Sequence, residues 1–170
     1  GVLVQHGPIL RVVFGPRDPS YISPILSAIQ SDLCESGIDG VLSTHIQRDA
    51  LEKFSYVSPI GAAGVYLHAV AGDFQKEGPA RELFKSMIRE ISALAAAMGY
   101  PFEKDYVKIN LEILSNLSAD ATTSMQRDIM EGKPSELDGL VMEPLRLAKK
   151  YSVSMPCYEE VAKVLCPLEF

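Results

Sequence analysis

Residues 124–138 have the sequence SMQRDIMEGKPSELD, which contains the end of one helix, a Gly-Lys-Pro break and the start of a second helix. Ser124 and Asp128 are four residues apart, so on a helix they lie one above the other on one face. Glu136 and Asp138 fall in the first turn of the predicted second helix, where unpaired backbone N–H groups favour negative charge. The stretch therefore predicts a corner between two helices that gathers a hydroxyl and several carboxylates.

The same residues also have a purely structural interpretation. Gly132 is typical of the residue that follows a helix, and Pro134 is typical of a first helical turn. Ser135 and Asp138 would then cap the second helix. Because such capping patterns are common in helical proteins, spacing alone leaves both interpretations open.

Composition limits the kind of protein and the kind of partner. The chain has 170 residues, of which 47% are hydrophobic, so it can bury one sizeable core in one or two domains. A formal net charge of −6 argues against nucleic acid or an anionic membrane as the main partner. The longest apolar stretches are broken by glycine, serine or charge, so no membrane-spanning helix or signal peptide is predicted.

The cysteines favour a reducing compartment. Cys34, Cys157 and Cys166 are three in number, widely spaced, and far from the histidines. Neither a disulfide framework nor a zinc site is expected from this pattern, and no other metal-ligand spacing is present. The sequence therefore predicts a cytoplasmic protein without a metal.

Hydrophobic periodicity predicts two short strands followed by a mainly α chain. The strands are expected at residues 2–4 and 9–14, where they could pair as a hairpin, and another extended piece is expected at 38–42. Helices are predicted over residues 24–36, 45–70, 79–98, 103–131, 135–151 and 158–165. Long helices with short connections are typical of a helical bundle.

Two prolines and a run of small residues modify this pattern. Pro59 and Pro144 each fall inside a predicted helix and are expected to bend it, with an interruption at Pro59. Residues 61–64, Gly-Ala-Ala-Gly, form a smooth surface suited to close packing against another backbone. That surface makes homodimerisation one prediction for the chain.

Lys53 and Glu90 are the side chains outside the corner that could carry chemistry. Lys53 borders the apolar stripe of its helix, where it can extend into water or act as a partly desolvated proton donor. Glu90 lies at the edge of the apolar stripe of the helix predicted at 79–98. It is either a solvated residue with a basic partner one turn away or an acid within an interface between helices. No Ser-His-Asp set, phosphate loop or GxGxxG fingerprint accompanies them.

Four segments carry a resemblance to a known family. They are ALEKFSYVSP (50–59), MIREISALAAAMGY (87–100), TTSMQRDIMEGKPSELDGL (122–140) and RLAKKYSVSMPCYEEVAKVL (146–165). In order and spacing they resemble the C-terminal domain of ketopantoate reductases (2-dehydropantoate 2-reductases). The resemblance implies a mainly α, multi-helix bundle like the C-terminal domain of 6-phosphogluconate dehydrogenase. It also implies that residues 1–19 are the terminal strands of a truncated Rossmann domain and that 20–170 form a helical substrate-binding and dimerisation domain.

The resemblance also assigns roles to individual residues. Lys53 matches the family's general acid, which protonates the carbonyl oxygen, and Glu136 matches the acid beside that lysine and the nicotinamide. Ser124 matches a hydroxyl that binds the substrate carboxylate, and Glu90 and Asp128 match acids of the same cleft. The implied reaction is reduction of a 2-keto acid by NADPH in bacterial pantothenate biosynthesis. NADP(H) would bind the missing N-terminal Rossmann domain, so this chain alone is expected to hold no cofactor and to be inactive.

The sequence departs from the family pattern where the substrate is recognised. Val57, Gly61 and Ala71 stand at positions where the family has asparagines. Ala121 replaces another polar residue, and Glu52 stands where an aromatic residue is usual. A site without these amides is expected to bind pantoate-like hydroxy acids poorly. Two alternatives follow. One is a reductase of another 2-keto acid, and the other is an inactive helical dimerisation module with a structural Lys53–Glu136 ion pair.

Overall fold

The computed structural model describes residues 10–18, 20–21 and 23–167, and this part of the chain is mainly α-helical. Its contacts divide the chain into two compact units, one on each side of the Asp49–Ala50 bond. The elements are β1 (Arg11–Phe14), α1 (Pro24–Glu35), β2 (Asp39–Leu42), α2 (Ile46–Leu67), α3 (Ala71–Gln75), α4 (Pro79–Ala97), α5 (Tyr106–Ser115), α6 (Ser124–Met130), a π-helical segment (Asp138–Met142), α7 (Glu143–Tyr151) and α8 (Pro156–Leu165). None of the described helices is long and apolar enough to cross a membrane.

The first unit contains a parallel pair of strands. β1 pairs with β2 in parallel, with Arg11 opposite Asp39, and α1 connects the two strands. Ser23 caps α1 by accepting a hydrogen bond from the N–H of Ile25, and Gly37 follows the helix with a φ of 78°. The predictions for α1 and for the extended piece at 38–42 are confirmed. The strand predicted at residues 2–4, and with it the hairpin, lies outside the described residues.

The core of the second unit surrounds α4, which contacts α3, α5, α7 and α8. Its apolar face is buried along its whole length, at Phe84, Met87, Ile88, Ile91 and Leu94. The helix predicted at 79–98 is therefore confirmed, and Gly99 with a φ of 91° follows it.

α2 continues without interruption through Pro59, contrary to the prediction. A proline has no N–H, so Pro59 cannot donate to the carbonyl of Ser55 one turn earlier. The buried side chain of Asn110 supplies the missing bond, since its Nδ2 donates to the Ser55 carbonyl oxygen at 3.0 Å. A partner from α5 therefore keeps the helix intact at its proline.

The second internal proline is compensated in the same manner. Pro144 cannot donate to the carbonyl of Leu140, and the hydroxyl of Ser58 donates to that oxygen at 2.6 Å instead. Ser58 also shares a hydrogen bond of 2.5 Å with the buried hydroxyl of Tyr158. A π-helical segment, Asp138–Met142, directly precedes α7, and the bend predicted at Pro144 stays a prediction.

Two helix boundaries differ from the predictions. The helix predicted over 103–131 is two helices, because residues 116–123 leave the helix between α5 and α6. In that gap the carbonyls of Ala119 and Ala121 accept bonds from the N–H groups of Gly72 and Ala71, so the gap is anchored to α3. The helix predicted from 135 begins later, which leaves Pro134 outside its first turn.

The smooth surface at residues 61–64 is buried by the same chain. A Cβ placed on Gly61 would lie 3.1 Å from the Met125 methyl, and one on Gly64 would lie 2.8 Å from the Gln126 amide. These glycines allow α6 to approach α2 closely. The surface therefore packs as predicted, but against α6, and it offers no argument for a homodimer.

Candidate functional site

Lys53 lies on α2 with its side chain exposed. Val57 and Ile60 follow it at helical spacings of four and seven residues, so the three side chains share one side of the helix. Within the described ranges, no hydrogen bond or ion pair engages the Lys53 ammonium. The amine is therefore accessible to a ligand.

Glu136 is also exposed, in the bend directly before the π-helical segment. Its backbone carbonyl accepts from the N–H of Leu140 at 2.9 Å, which fixes the backbone of the bend. Among the residues that the structure describes, neither Glu136 nor Lys53 takes part in an ion pair. The alternative of an inactive helical dimerisation module predicts an ion pair between Lys53 and Glu136, and this ion pair is not formed.

Ser124 and Asp128 share one face of α6, as their spacing predicts. Ser124 is exposed and Asp128 is half-buried. The helix begins with a capping box, in which Thr123 Oγ1 accepts from the Gln126 N–H and Gln126 Oε1 accepts from the Thr123 N–H. It ends at Met130, and Gly132, with a φ of 67°, follows its cap residue, which confirms the predicted helix stop.

Asp138 does not join the other carboxylates. It accepts two hydrogen bonds from the Arg146 guanidinium, at 2.9 and 2.7 Å, and Arg146 also contacts Glu143 at 2.7 Å. The hydrogen bonds from Arg146 hold the pKa of the Asp138 carboxyl below its usual value. The predicted collection of carboxylates at the corner is therefore smaller than expected, because Asp138 belongs to an exposed ion-pair network.

Glu90 holds the start of α8. Its two carboxylate oxygens accept from the N–H groups of Cys157 and Tyr158 at 2.8 and 3.1 Å. These are among the N–H groups at a helix start that lack a partner within the helix. Glu90 therefore lies within a helix interface, the second of its two interpretations. Burial of the Cys157 thiol, together with the charge of Glu90, raises the pKa of that thiol to about 11.

A cavity of about 170 Å³ lies beside α2 and the start of α6. Its walls are largely apolar and include Tyr56, Ile60, Ala71, Phe74, Ala121 and Thr123. Two of these are alanines at positions where the family resemblance implies polar residues. The backbone brings them together, since the N–H of Ala71 donates to the carbonyl of Ala121 at 2.9 Å.

Tyr56 is the feature of this cavity that sequence reasoning missed. Within the described residues, its hydroxyl is the buried side-chain polar atom that lacks a hydrogen-bond partner. Burial raises the pKa of this hydroxyl above its usual value. The position of Tyr56 one helical turn after Lys53 was the available signal, but an unpartnered hydroxyl cannot be recognised without the surrounding side chains.

The described residues contain no cluster of three or more histidine, cysteine or acidic side chains that could hold a metal ion. Cys34, Cys157 and Cys166 form no disulfide within the part of the chain that the structure describes. The candidate residues offer the exposed amine of Lys53, the exposed hydroxyl of Ser124 and the carboxylates of Asp128 and Glu136.

Comparison with known proteins identifies the family. A family model described as "Ketopantoate reductase PanE/ApbA C terminal" matches residues 45–169. The chain is 26% identical over 159 residues to a 2-dehydropantoate 2-reductase of Aquifex aeolicus, a match covering 91% of this chain and 51% of the relative. The chain thus spans about half the length of this curated relative.

Solved structures share the fold. A 2-dehydropantoate 2-reductase from Methylococcus capsulatus superposes with a TM-score of 0.83 at 24% identity, over 96% of this chain and 52% of that one. A D-mandelate dehydrogenase solved with NADH and anilino(oxo)acetate superposes with a TM-score of 0.76 at 17% identity, over 96% and 68%. Since the family model covers most of its length, the chain belongs to the ketopantoate reductase C-terminal family.

Proposed function

We propose that this chain is the substrate-binding part of an NADPH-dependent reductase of the 2-dehydropantoate 2-reductase type, which converts a 2-keto acid into a 2-hydroxy acid. The observation that carries the proposal is the family match over residues 45–169, because this range includes every candidate site residue. The accessible ammonium of Lys53 supports it, since a proton donor must reach the substrate.

In the proposed reaction a hydride adds to the keto carbon while a proton is delivered to the keto oxygen. Lys53 Nζ gives that proton and, before transfer, its positive charge stabilises the charge that develops on the oxygen. The Ser124 hydroxyl binds the substrate carboxylate, and Glu136 and Asp128 orient the groups around the lysine. Glu90 acts indirectly, through the start of α8 that its carboxylate holds.

The described residues do not fit a binding site for the cofactor's phosphates. They contain no glycine-rich turn between a strand and a helix of the kind that holds a dinucleotide. We therefore assign none of them to the cofactor, which supplies the hydride when it is bound elsewhere in the whole protein. The proposal also includes NADPH as the hydride donor, a cytoplasmic location, a role in bacterial pantothenate biosynthesis and a homodimer.

A reductase of another 2-keto acid is the second candidate. The apolar cavity favours it, because Ala71 and Ala121 line the space where the family resemblance implies polar side chains. The structural neighbour that carries NADH and anilino(oxo)acetate, a D-mandelate dehydrogenase, shows that this fold occurs in a protein of a different name and ligand.

A reductase assay on the whole protein tests the proposal. NADPH oxidation is followed with a panel of 2-keto acids that includes ketopantoate, for the wild type and for Lys53→Ala. We expect turnover of at least one acid and a loss of kcat of about 10²–10⁴-fold in Lys53→Ala, the range of general acid catalysis. Lys163→Ala, at an exposed lysine of α8, is the matched control and should keep the wild-type rate.

Two results would contradict the proposal. If Lys53→Ala turns over a 2-keto acid as fast as the Lys163→Ala control does, Lys53 is not the general acid. Absence of turnover with every acid, together with absence of NADPH binding, would favour the helical module instead.

A further inference from the structure

Ser58 connects α2, the helix that carries Lys53, with the residues that follow Glu136. It lies five residues after Lys53 on this helix and is fully buried, whereas Lys53 is exposed. The Ser58 hydroxyl donates to the Leu140 carbonyl at 2.6 Å, and the Leu140 N–H donates to the Glu136 carbonyl at 2.9 Å. Two hydrogen bonds therefore lead from α2, through Leu140, to the backbone of Glu136.

Tyr158 fixes the direction of this series of hydrogen bonds. Ser58 has one hydroxyl proton, and it is used for the Leu140 carbonyl, so Tyr158 is the donor in the 2.5 Å bond between the two hydroxyls. Burial raises the pKa of the Tyr158 hydroxyl, which keeps this proton in place at neutral pH. Hydrogen bonds that follow one another in a buried setting also strengthen each other.

The backbone of Tyr158 is itself held. Its N–H donates to the Glu90 carboxylate at 3.1 Å, and its side chain is fully buried. The series therefore begins at a rigid contact between α4 and α8, passes through Ser58 on α2 and ends at the backbone of Glu136.

The π-helical segment after Glu136 depends on a partner outside its own helix. Within it, the Glu143 N–H donates to the Asp138 carbonyl five residues earlier, a wide turn that is rare and is often found at functional sites. Pro144 has no N–H, so the Leu140 carbonyl lacks its usual donor one turn later. The hydroxyl of Ser58 takes that place, so α2 determines where this part of the backbone lies.

We propose, resting on the proposed reductase function, that Ser58 is a positioning residue that fixes the backbone carrying Glu136 relative to the helix carrying Lys53. Tyr158 in turn fixes the Ser58 hydroxyl. Both side chains are fully buried, so they act through Glu136 and do not touch the substrate. In the proposed reaction Glu136 orients the groups around Lys53, and a misplacement of about 1 Å can slow such a reaction by about 10²-fold.

Ser58→Ala tests this inference by removing the hydroxyl. For the whole protein, kcat and KM are measured with NADPH and the 2-keto acid that the wild type reduces fastest. We expect kcat to fall by about tenfold to 10²-fold while KM changes less, because the lost bond orients the reacting groups and does not bind the substrate. Ser58→Cys, with a weaker donor of similar size, should recover part of the rate.

Ser55→Ala is the matched control. Ser55 is equally buried on the same helix, but its hydroxyl donates to the Glu52 carbonyl within α2 at 2.7 Å and accepts from Asn110 at 3.0 Å. Its loss should lower the unfolding free energy, as the loss of Ser58 does, yet kcat should stay at the wild-type value. Urea unfolding measures the stability of each variant and shows that it is folded.

Pro144→Ala separates positioning from the repair of a helix at its proline. This change restores an N–H that can donate to the Leu140 carbonyl. Adding Ser58→Ala should then cost little stability, but it should still lower kcat relative to Pro144→Ala alone, because the bond from α2 is missing. If kcat is retained together with stability, Ser58 only compensates the proline and the inference is overturned.

Hydrogen exchange decides the inference even without turnover. In Ser58→Ala, the amides of residues 136–142 should exchange faster than in Ser55→Ala, and equal exchange in the two variants overturns the positioning role. This measurement also applies if Pro144→Ala is inactive by itself. If the wild type reduces no 2-keto acid, the reductase proposal fails. If it reduces one, and Ser58→Ala keeps the kcat of Ser55→Ala, only the role of Ser58 is overturned.

Discussion

Glu90 joins two helices through its carboxylate. The side chain extends from α4, and its two oxygens accept from consecutive N–H groups at the start of α8. Such groups have no partner within their own helix, so an acceptor from another helix does the work of a cap. The negative charge also lies at the positive end of the α8 dipole. The family resemblance places Glu90 in the substrate cleft, and the structure shows that Glu90 also connects α4 to α8.

Removing this carboxylate should destabilise the fold. We expect Glu90→Ala to lower the free energy of unfolding by about 1–2 kcal/mol, the usual cost of losing a helix cap. Glu90→Gln should cost less, because its amide keeps one oxygen that can accept from an N–H group. Urea unfolding monitored by circular dichroism measures both values.

The control for Glu90 is Glu112→Ala on α5. Glu112 is exposed, and among the described residues its carboxylate takes part in no hydrogen bond or ion pair, while its backbone carbonyl accepts from Ser115 and Asn116. Its substitution should change the unfolding free energy by less than about 0.5 kcal/mol. Equal losses at Glu90 and Glu112 would show that the two hydrogen bonds to α8 do not stabilise the protein.

At the scale of elements, the two helical prolines are tolerated because side chains from elsewhere replace the backbone bonds that they remove. Asn110 donates to the Ser55 carbonyl below Pro59, and Ser58 donates to the Leu140 carbonyl below Pro144. Both donors are buried. Each bond also joins two elements, so the defect in one helix becomes a contact with another.

A double-mutant cycle tests this compensation at Pro59. Asn110→Leu keeps the number of side-chain heavy atoms but removes the donor, and it should destabilise the protein by about 1–3 kcal/mol or more, because the buried Ser55 carbonyl loses its partner. Pro59→Ala restores a backbone N–H that can donate to the same carbonyl. In the Pro59→Ala background, Asn110→Leu should therefore cost at least about 1 kcal/mol less.

The cycle is measured by urea unfolding of the four proteins. Additive costs would show that the Asn110 bond to the Ser55 carbonyl does not compensate the proline. Asn116→Leu is the control, since Asn116 is exposed at the end of α5 and bonds within its own helix, to the Glu112 carbonyl. Its cost should be the same in the wild type and in the Pro59→Ala background.

Helix starts and stops were predictable from the sequence where they depend on local residues. Ser23 with Pro24 at the start of α1, Gly99 after α4 and Gly132 after α6 lie at the predicted positions. The break between α5 and α6 was not predictable. Residues 116–123 contain no glycine or proline, and the backbone bonds that hold them come from α3, far away in the sequence.

For the candidate site, the sequence predicted which side chains share a helix face but not which side chains meet after folding. Spacing placed Ser124 and Asp128 on one face, which the structure confirms. It could not tell that Asp138 pairs with Arg146 or that the hydroxyl of Tyr56 is buried without a partner. Both depend on which side chains meet after folding, and periodicity carries no information about such contacts.

At the scale of the whole molecule, burial is concentrated in the second unit. Every buried member of the apolar core cluster lies between Ile60 and Ala162. In the first unit, by contrast, Gly40 and Ser43 are the buried residues among those described, and α1 buries none of its side chains. Since apolar burial is the main favourable term in folding, stability should reside in the second unit.

A truncated chain of residues 45–170 should therefore unfold cooperatively, with an unfolding free energy within about 10–15% of the value for the whole chain, the error of the extrapolation. The control is a chain of residues 1–155, which lacks α8 and with it the buried side chains of Tyr158, Val161 and Ala162. Losing three core side chains should cost several kcal/mol, enough to abolish the cooperative transition of a marginally stable domain. Urea titration of the three chains by circular dichroism measures this. If the 45–170 chain lost its transition while the 1–155 chain kept it, stability would depend on the strands and not on the helical core.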